Sequence, residues 1–373
     1  MEKKYFLTVI QSTHASLSGL ESSGLLDRHK YLLNEYSKVF NVILYSSDDK
    51  NYSKKLKVTH KIPKWLPNKF GFRHFFYYIW LIIKAPKMQG IIKVFGSNIP
   101  TLPIVKLLSH QKMIVTYQWD YAKQTKKNES KGLKSWMPPL LEKLSLISAD
   151  IVFVTTEWLK EKIDKVYNKK TVLIPNWVDF DKLEKIGFDN INKGKIILYA
   201  GRLHWSKGVD ILIDAYSKIY KDNHDLKLII CGDGEERKKL EEKVKPNRLK
   251  GITFTGRISN DDVLNYMTNA RIFVLPTLTM EGHPKALIEA MAAKCICLAS
   301  RVPGNQEVLI EAGCEENLFE PGDVDSLCSK IIWAMNNDNS AKTYSYAKEN
   351  YSADVLIKKD IEVLKEIVGV YNE

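Results

Sequence analysis

Ile197-Leu198-Tyr199-Ala200-Gly201-Arg202-Leu203-His204-Trp205-Ser206-Lys207-Gly208 reads as a strand, a loop and the start of a helix. An apolar run ends in a glycine, and the loop behind it carries one arginine and one lysine. After Gly208, apolar residues recur at Val209, Leu212, Ile213, Tyr216 and Ile219, the spacing of one buried helical face. Units of this kind repeat on both sides of the stretch. Upstream, strands are predicted at 5–11, 41–46, 91–95, 113–118, 150–155 and 171–174, with helices between them. Downstream, they are predicted at 195–200, 227–231, 252–255, 272–275 and 295–299, separated by helices at 208–220, 235–245, 261–269 and 285–293 and followed by one at 325–336. Strands alternating with helices imply βαβ units and a parallel sheet.

A polar stretch from Pro175-Asn176-Trp177-Val178-Asp179 to Lys195 breaks the alternation. The expected organisation is therefore an N-terminal domain over 1–175, a link over 176–194 and a second α/β domain over 195–345. Residues 346–373 contain a helix at 353–368 that should pack back toward the N-terminal domain. The length of 373 residues suits two domains better than one. Doubly wound domains place ligands at the carboxyl ends of their strands, and two of them naturally place one between the domains.

The bulk numbers exclude several classes. An apolar content of 45% with 27% charged residues is ordinary for a globular chain and rules against disorder. The apolar start, Tyr5 to Ile10, is too short for a signal-peptide core, and no run approaches the roughly 18 apolar residues of a membrane span. The five cysteines all lie in the C-terminal half without a zinc-type pair, which suits reduced core thiols and a cytoplasmic protein. The net charge of +12 is concentrated: ten Lys or Arg and no Asp or Glu fall between Lys50 and Lys87. That segment includes the aromatic and aliphatic run 70–83, which reads either as a core helix or as peripheral contact with an anionic membrane at its inner face.

Two loops of the second half carry chemistry. Arg202 and Lys207, at a strand–loop–helix corner, make a seat for a diphosphate. The second loop reads Glu281-Gly282-His283-Pro284-Lys285-Ala286-Leu287-Ile288-Glu289-Ala290-Met291. Pro284 suits a helix start, which leaves the amides of Lys285 and Ala286 free for an anion. Glu281 ahead of that helix and Glu289 inside it suit hydrogen bonds to hydroxyls at the two ends of a nucleotide sugar.

These motifs, with Cys231-Gly232-Asp233-Gly234-Glu235, Phe254-Thr255-Gly256-Arg257, Pro303-Gly304-Asn305-Gln306-Glu307 and Glu320-Pro321-Gly322-Asp323, resemble the retaining glycosyltransferases of family 4. The resemblance covers 149–323 well and the first 110 residues loosely. It implies the GT-B fold, an α/β architecture of two Rossmann-like doubly wound domains facing each other across a cleft. It further implies that Arg202, Lys207 and Glu281 are the catalytic set: two cations on the donor diphosphate and a carboxylate on the transferred sugar. The donor-binding set would be Gly201, Gly232, Gly256, Arg257, Ile258, His283, Pro284, Lys285, Ala286, Leu287 and Glu289, with Glu289 on the ribose and 256–258 along the base. The substrate would be a nucleoside-diphosphate hexose, UDP- or GDP-linked, and the acceptor a saccharide or lipid-linked saccharide of surface polysaccharide or glycolipid assembly. No cofactor and no nucleic-acid partner are expected.

The chain departs from the family in its first half. Gln118-Trp119-Asp120 stands where a histidine is usual, and Ser23-Gly24 replaces a glycine pair. Ser23, Gly24, Gln118 and Asp120 are the acceptor-side expectations. Asp179-Phe180-Asp181 and Asp323-Val324-Asp325 match the Asp-x-Asp of metal-dependent sugar transferases, but both precede helices and read as caps, so no essential metal is expected. The rival readings are a nucleotide-sugar 2-epimerase on the same fold, a catalytically silent nucleotide-sugar-binding homologue, and a basic nucleic-acid binder, for which no module is recognisable.

Overall fold

The computed structural model describes residues 5–12, 16–22, 26–63, 70–118, 133–187, 194–245 and 251–369. Ser23, Gly24 and Asp120 lie outside them. The chain divides into two compact units, residues 1–174 with 357–373, and residues 175–356.

The first unit is built on a seven-stranded sheet of β1 (Phe6–Gln11), β2 (Asn41–Tyr45), β3 (Thr59–Lys61), β4 (Ile91–Phe95), β5 (Met113–Tyr117), β6 (Ile151–Val154) and β7 (Lys170–Leu173). Its order is β3-β2-β1-β4-β5-β6-β7, every pair parallel. The second unit holds β8 (Gly194–Ala200), β9 (Lys227–Cys231), β10 (Ile252–Gly256), β11 (Ala270–Leu275), β12 (Ile296–Ser300) and β13 (Leu318–Phe319), in the order β10-β9-β8-β11-β12-β13 and again all parallel. Each sheet turns outward in both directions from its first strand, the doubly wound arrangement expected from the alternation. β3 and β13, three and two residues long, are edge strands that the pattern did not reveal.

The central strands are buried on both faces, as parallel sheets require: Leu198, Phe273 and Val274 are fully buried, as are Ile92, Val94 and Val115. The helix Phe70–Lys84 is a core helix on one stripe, with Tyr77, Trp80 and Leu81 in the core cluster of the first unit. Its outer stripe exposes Phe72, Phe75 and Ile83. Among the described residues, no helix is long and apolar enough to cross a membrane.

The helix Ala353–Ile367 is tied to the first sheet by a buried polar cluster. Lys93 on β4 donates to Asp360 at 2.5 Å and to the Tyr36 hydroxyl at 2.7 Å, and Tyr36 donates to Asp360 at 2.6 Å. The Lys93 ammonium also lies 4.5 Å from the Phe153 ring centroid. Burial pulls the Lys93 pKa down against the opposing attraction of Asp360. Removing one partner would strand the other charge without water. Asp360→Ala should therefore cost about 3–5 kcal/mol in a denaturant titration, and Lys93→Met/Asp360→Leu should recover most of it. Equal stability of the single variant and the parent would show the cluster to be dispensable.

His60 on the edge strand β3 is held neutral. Its Nδ1 accepts from the Tyr52 amide at 2.9 Å and its Nε2 lies 2.8 Å from the Ser46 hydroxyl. Burial pushes its pKa down to about 4, with Asp48 opposing. Histidine in the unfolded chain takes up a proton near pH ~6.5. Between those values the unfolded state binds a proton that the folded state does not, so stability falls as pH drops from about 6.5 to about 4. His60→Gln should flatten that slope, read from urea titrations at both ends of the window; His29, also pushed down to about 4 by burial, keeps part of it.

Candidate functional site

The second unit's sheet reverses direction at β8, which pairs with β9 on one side and β11 on the other. The loops leaving β8 and β11 are therefore neighbours, and they are the two loops singled out in the sequence. The Leu278 amide donates to the Ser206 carbonyl at 2.8 Å, sewing them together. Gly208 enables this approach. Its φ is +62°, and a Cβ there would lie 2.1 Å from the Pro276 carbonyl oxygen. Gly304 does the same from the β12 loop, where a Cβ would meet the Gly282 carbonyl oxygen at 2.1 Å.

The centre of the site is an ion pair between Lys207 Nζ and Glu281 Oε1. The Glu281 side chain is only 8% exposed and Lys207 23%. Thr277 Oγ1 donates to the same carboxylate oxygen at 2.9 Å, so the carboxylate is fixed by a cation and a hydroxyl. The Thr277 carbonyl in turn accepts from Ser300 Oγ at 2.5 Å. Below it, the Tyr199 hydroxyl donates to the Arg202 carbonyl at 3.0 Å, its pKa raised by burial and by the charge of Glu281.

Helix Lys285–Ala292 starts one turn beyond Glu281, with Pro284 at its cap position. Its first amide bonds to the Pro284 carbonyl come from Leu287 and Ile288, so the amides of Lys285 and Ala286 precede the intrahelical ladder. Lys285 pairs with Glu289 at 3.2 Å, and Glu289 is 8% exposed. His283 is buried, its ring 4.8 Å from that of Tyr351, and its carbonyl accepts from Asn176 at 2.8 Å.

The three glycines at strand ends line up. The Gly201 amide donates to the Cys231 carbonyl at 2.9 Å and the Gly232 amide to the Gly256 carbonyl at 3.0 Å. Arg257, exposed, and Ile258, half-buried, follow Gly256. Arg202 is placed differently from Lys207: its side chain is 70% exposed and its guanidinium reaches Glu235 at 4.0 Å. Glu235 also accepts His204 Nε2 at 3.0 Å, a partner the sequence did not indicate. Thr277 was missed as well. The signal was a polar residue directly behind an apolar strand and a proline.

Asp179 and Asp323 are helix caps. Asp179 accepts the Lys182 amide at 3.0 Å, and Asp323 accepts those of Asp325 and Ser326 at 2.9 and 3.0 Å.

In the first unit Gln118 is exposed at the end of β5. The carboxyl ends of β4 and β6 carry buried polar side chains to which the sequence reading gave no role. Asn98 Oδ1, Thr155 Oγ1 and Thr156 Oγ1 have no hydrogen-bond partner among the described residues. A buried acceptor without a partner is costly, and strand ends of this kind are where parallel sheets receive ligands.

Comparison with known proteins agrees with this fold. Residues 181–351 match the model of the family described as glycosyl transferases group 1. The paired parallel sheets are the GT-B fold: the structure of HepE from Anabaena in complex with UDP-glucose superposes with a TM-score of 0.72 at 14% identity, covering 97% of this chain and 100% of that one. Among relatives, the chain is 30% identical over 210 residues to an uncharacterized glycosyltransferase, MJ1178, of Methanocaldococcus jannaschii, covering 56% of each chain. It is 26% identical over 256 residues to the capsular polysaccharide biosynthesis glycosyltransferase CapM of Staphylococcus aureus, covering 62% of this chain and 65% of that one. The chain thus spans somewhat over half the length of these relatives.

Gly208→Ala should push the Lys207 loop off the Pro276 carbonyl. The expected loss is at least about 2 kcal/mol from backbone strain and overlap, read by denaturant titration. A variant as stable as the parent would mean that the two loops are not held in this contact.

Proposed function

We propose that the chain is a retaining glycosyltransferase that moves a hexose from a nucleoside-diphosphate sugar, UDP- or GDP-linked, to a saccharide or lipid-linked saccharide, without an essential metal. The observation that carries this reading is the Lys207–Glu281 pair seated beside the start of helix Lys285–Ala292. The group 1 match over 181–351 and the names of the relatives support the reaction class. The UDP-glucose complex of a protein with the same fold supports the donor class.

In this reading the diphosphate lies against Lys207 and the amides of Lys285 and Ala286, with Arg202 swinging in from Glu235. The donor's glycosidic C–O bond breaks, and its electron pair leaves with the diphosphate. The acceptor oxygen attacks the anomeric carbon on the same face and passes its proton to a phosphate oxygen. The protein's main contribution is to stabilise the charge that grows on the leaving group, using cations and a helix end aimed at the diphosphate. Glu281, kept in place by Thr277, is then released from Lys207 to hydrogen-bond the sugar, while Glu289 takes the ribose.

The test begins with thermal shifts of the purified chain against UDP, GDP, ADP and CDP and their common sugar conjugates, with EDTA present. One nucleotide series should stabilise it, and Lys207→Ala should abolish the shift. With the matching donor, Lys207→Ala and Glu281→Ala should each lower transfer at least about a hundredfold while the fold persists. Near-normal turnover in both variants would sink the site assignment. Donor consumption without any acceptor product would replace transfer with epimerisation.

A further inference from the structure

We propose that the outer face of three helices in the first unit is a docking surface for an anionic lipid bilayer. The helices are Phe70–Lys84, Leu102–Ser109 and Leu133–Ser148, which pack side by side. Their inner faces contribute Tyr77, Trp80, Leu81, Leu102, Val105 and Leu146 to one core. A surface helix normally turns polar residues to the other side. These do not: Phe72 is 62% exposed, Phe75 59%, Ile83 59%, Ile104 46%, Leu107 68% and Ile147 47%. Scattered exposed apolar residues are ordinary, but large ones on three adjoining helices form a patch that marks an interaction site.

The charges on this face choose its occupant. The three helices contain one carboxylate, Glu142, and it is fully buried, accepting from the Tyr117 hydroxyl and paired with Lys162. Lys84, Lys87, Lys106 and Lys143 lie on these helices or directly behind them, and of these Lys106 is paired with Asp150. Among the described residues the one exposed carboxylate at this face is Asp150, just behind the third helix, and Lys106 neutralises it, so the face is apolar with a cationic excess. The next helix, Glu157–Tyr167, carries Glu157, Glu161 and Asp164 and ends the pattern. A second copy of the chain docked face to face would set lysine against lysine. An anionic bilayer satisfies both properties, taking the aromatic and aliphatic side chains at the acyl boundary and the ammonium groups at its phosphates, with the lysine stems lying along the apolar surface. None of the three helices is long and apolar enough to span, so the contact is with one leaflet.

The test is co-sedimentation of the full chain with vesicles of phosphatidylcholine alone or mixed with phosphatidylglycerol. The chain should pellet with the anionic vesicles, less so as salt rises, and should stay in solution with the neutral ones. Phe75→Glu/Leu107→Glu should weaken binding at least about tenfold at an unchanged melting temperature, because both side chains already face solvent. Lys84→Gln/Lys87→Gln, at a half-buried and an exposed lysine, should weaken binding to the anionic vesicles and flatten its salt dependence. Failure of the parent to pellet with anionic vesicles, or unaltered pelleting of both variants, overturns the proposal. So does a lipid-independent dimer in sedimentation velocity that Phe75→Glu/Leu107→Glu abolishes, which would assign the face to a second copy. Nucleotide thermal shifts report on residues of the other unit, so they separate a failure here from a failure of the donor site.

Discussion

Parallel pairing of β8 with both β9 and β11 is the constraint on which the second unit depends. Parallel strands cannot be joined by hairpins, so every connection crosses a face of the sheet and returns, and every strand ends at the same edge. Because the winding reverses at β8, the loops behind β8 and β11 leave side by side instead of being screened by a crossover. Lys207 and Glu281, 74 residues apart, meet for this reason. The glycines nearby serve the same end: Gly208 and Gly304 let backbone approach backbone where a side chain would collide.

The electrostatics of the site follow from that meeting. A carboxylate only 8% exposed needs a partner, and the unliganded protein supplies two in Lys207 and Thr277. The pair is thus a resting arrangement in which each charge is compensated. In the proposed function, a diphosphate would offer Lys207 a stronger partner and leave Glu281 available to the sugar. The same logic runs one turn further along, where Lys285 compensates Glu289.

Polar chemistry in the first unit is distributed differently. Its buried ion pair, Lys93 with Asp360, fastens a C-terminal helix to the sheet. The strand ends nearby hold hydroxyls and an amide without partners among the described residues. The acceptor-side expectation rested on Ser23, Gly24, Gln118 and Asp120. Gln118 alone among them is described, and it is exposed. The sequence resemblance is loosest over this half, so its candidate residues were harder to read.

Local pattern determined much of this protein. Runs of β-branched and apolar residues marked eleven of the thirteen strands among the described residues, and helical spacing marked the helices that follow β8, β9, β10 and β11. The two loops that hold Arg202, Lys207, Glu281 and Glu289 were equally legible as strand–loop–helix corners, because each is a short contiguous motif. What local pattern could not carry came from tertiary structure. β3 and β13 are too short to show a period. Helix Ser340–Tyr351 buries Thr343, Ala347 and Tyr351, a face too polar and small to register as apolar. Thr277 on Glu281, Glu235 beside Arg202 and His204, and Asp360 on Lys93 are contacts between residues from 4 to 267 positions apart. No spacing rule reaches across a crossover, so such partners are chosen only when the sheet brings strand ends together.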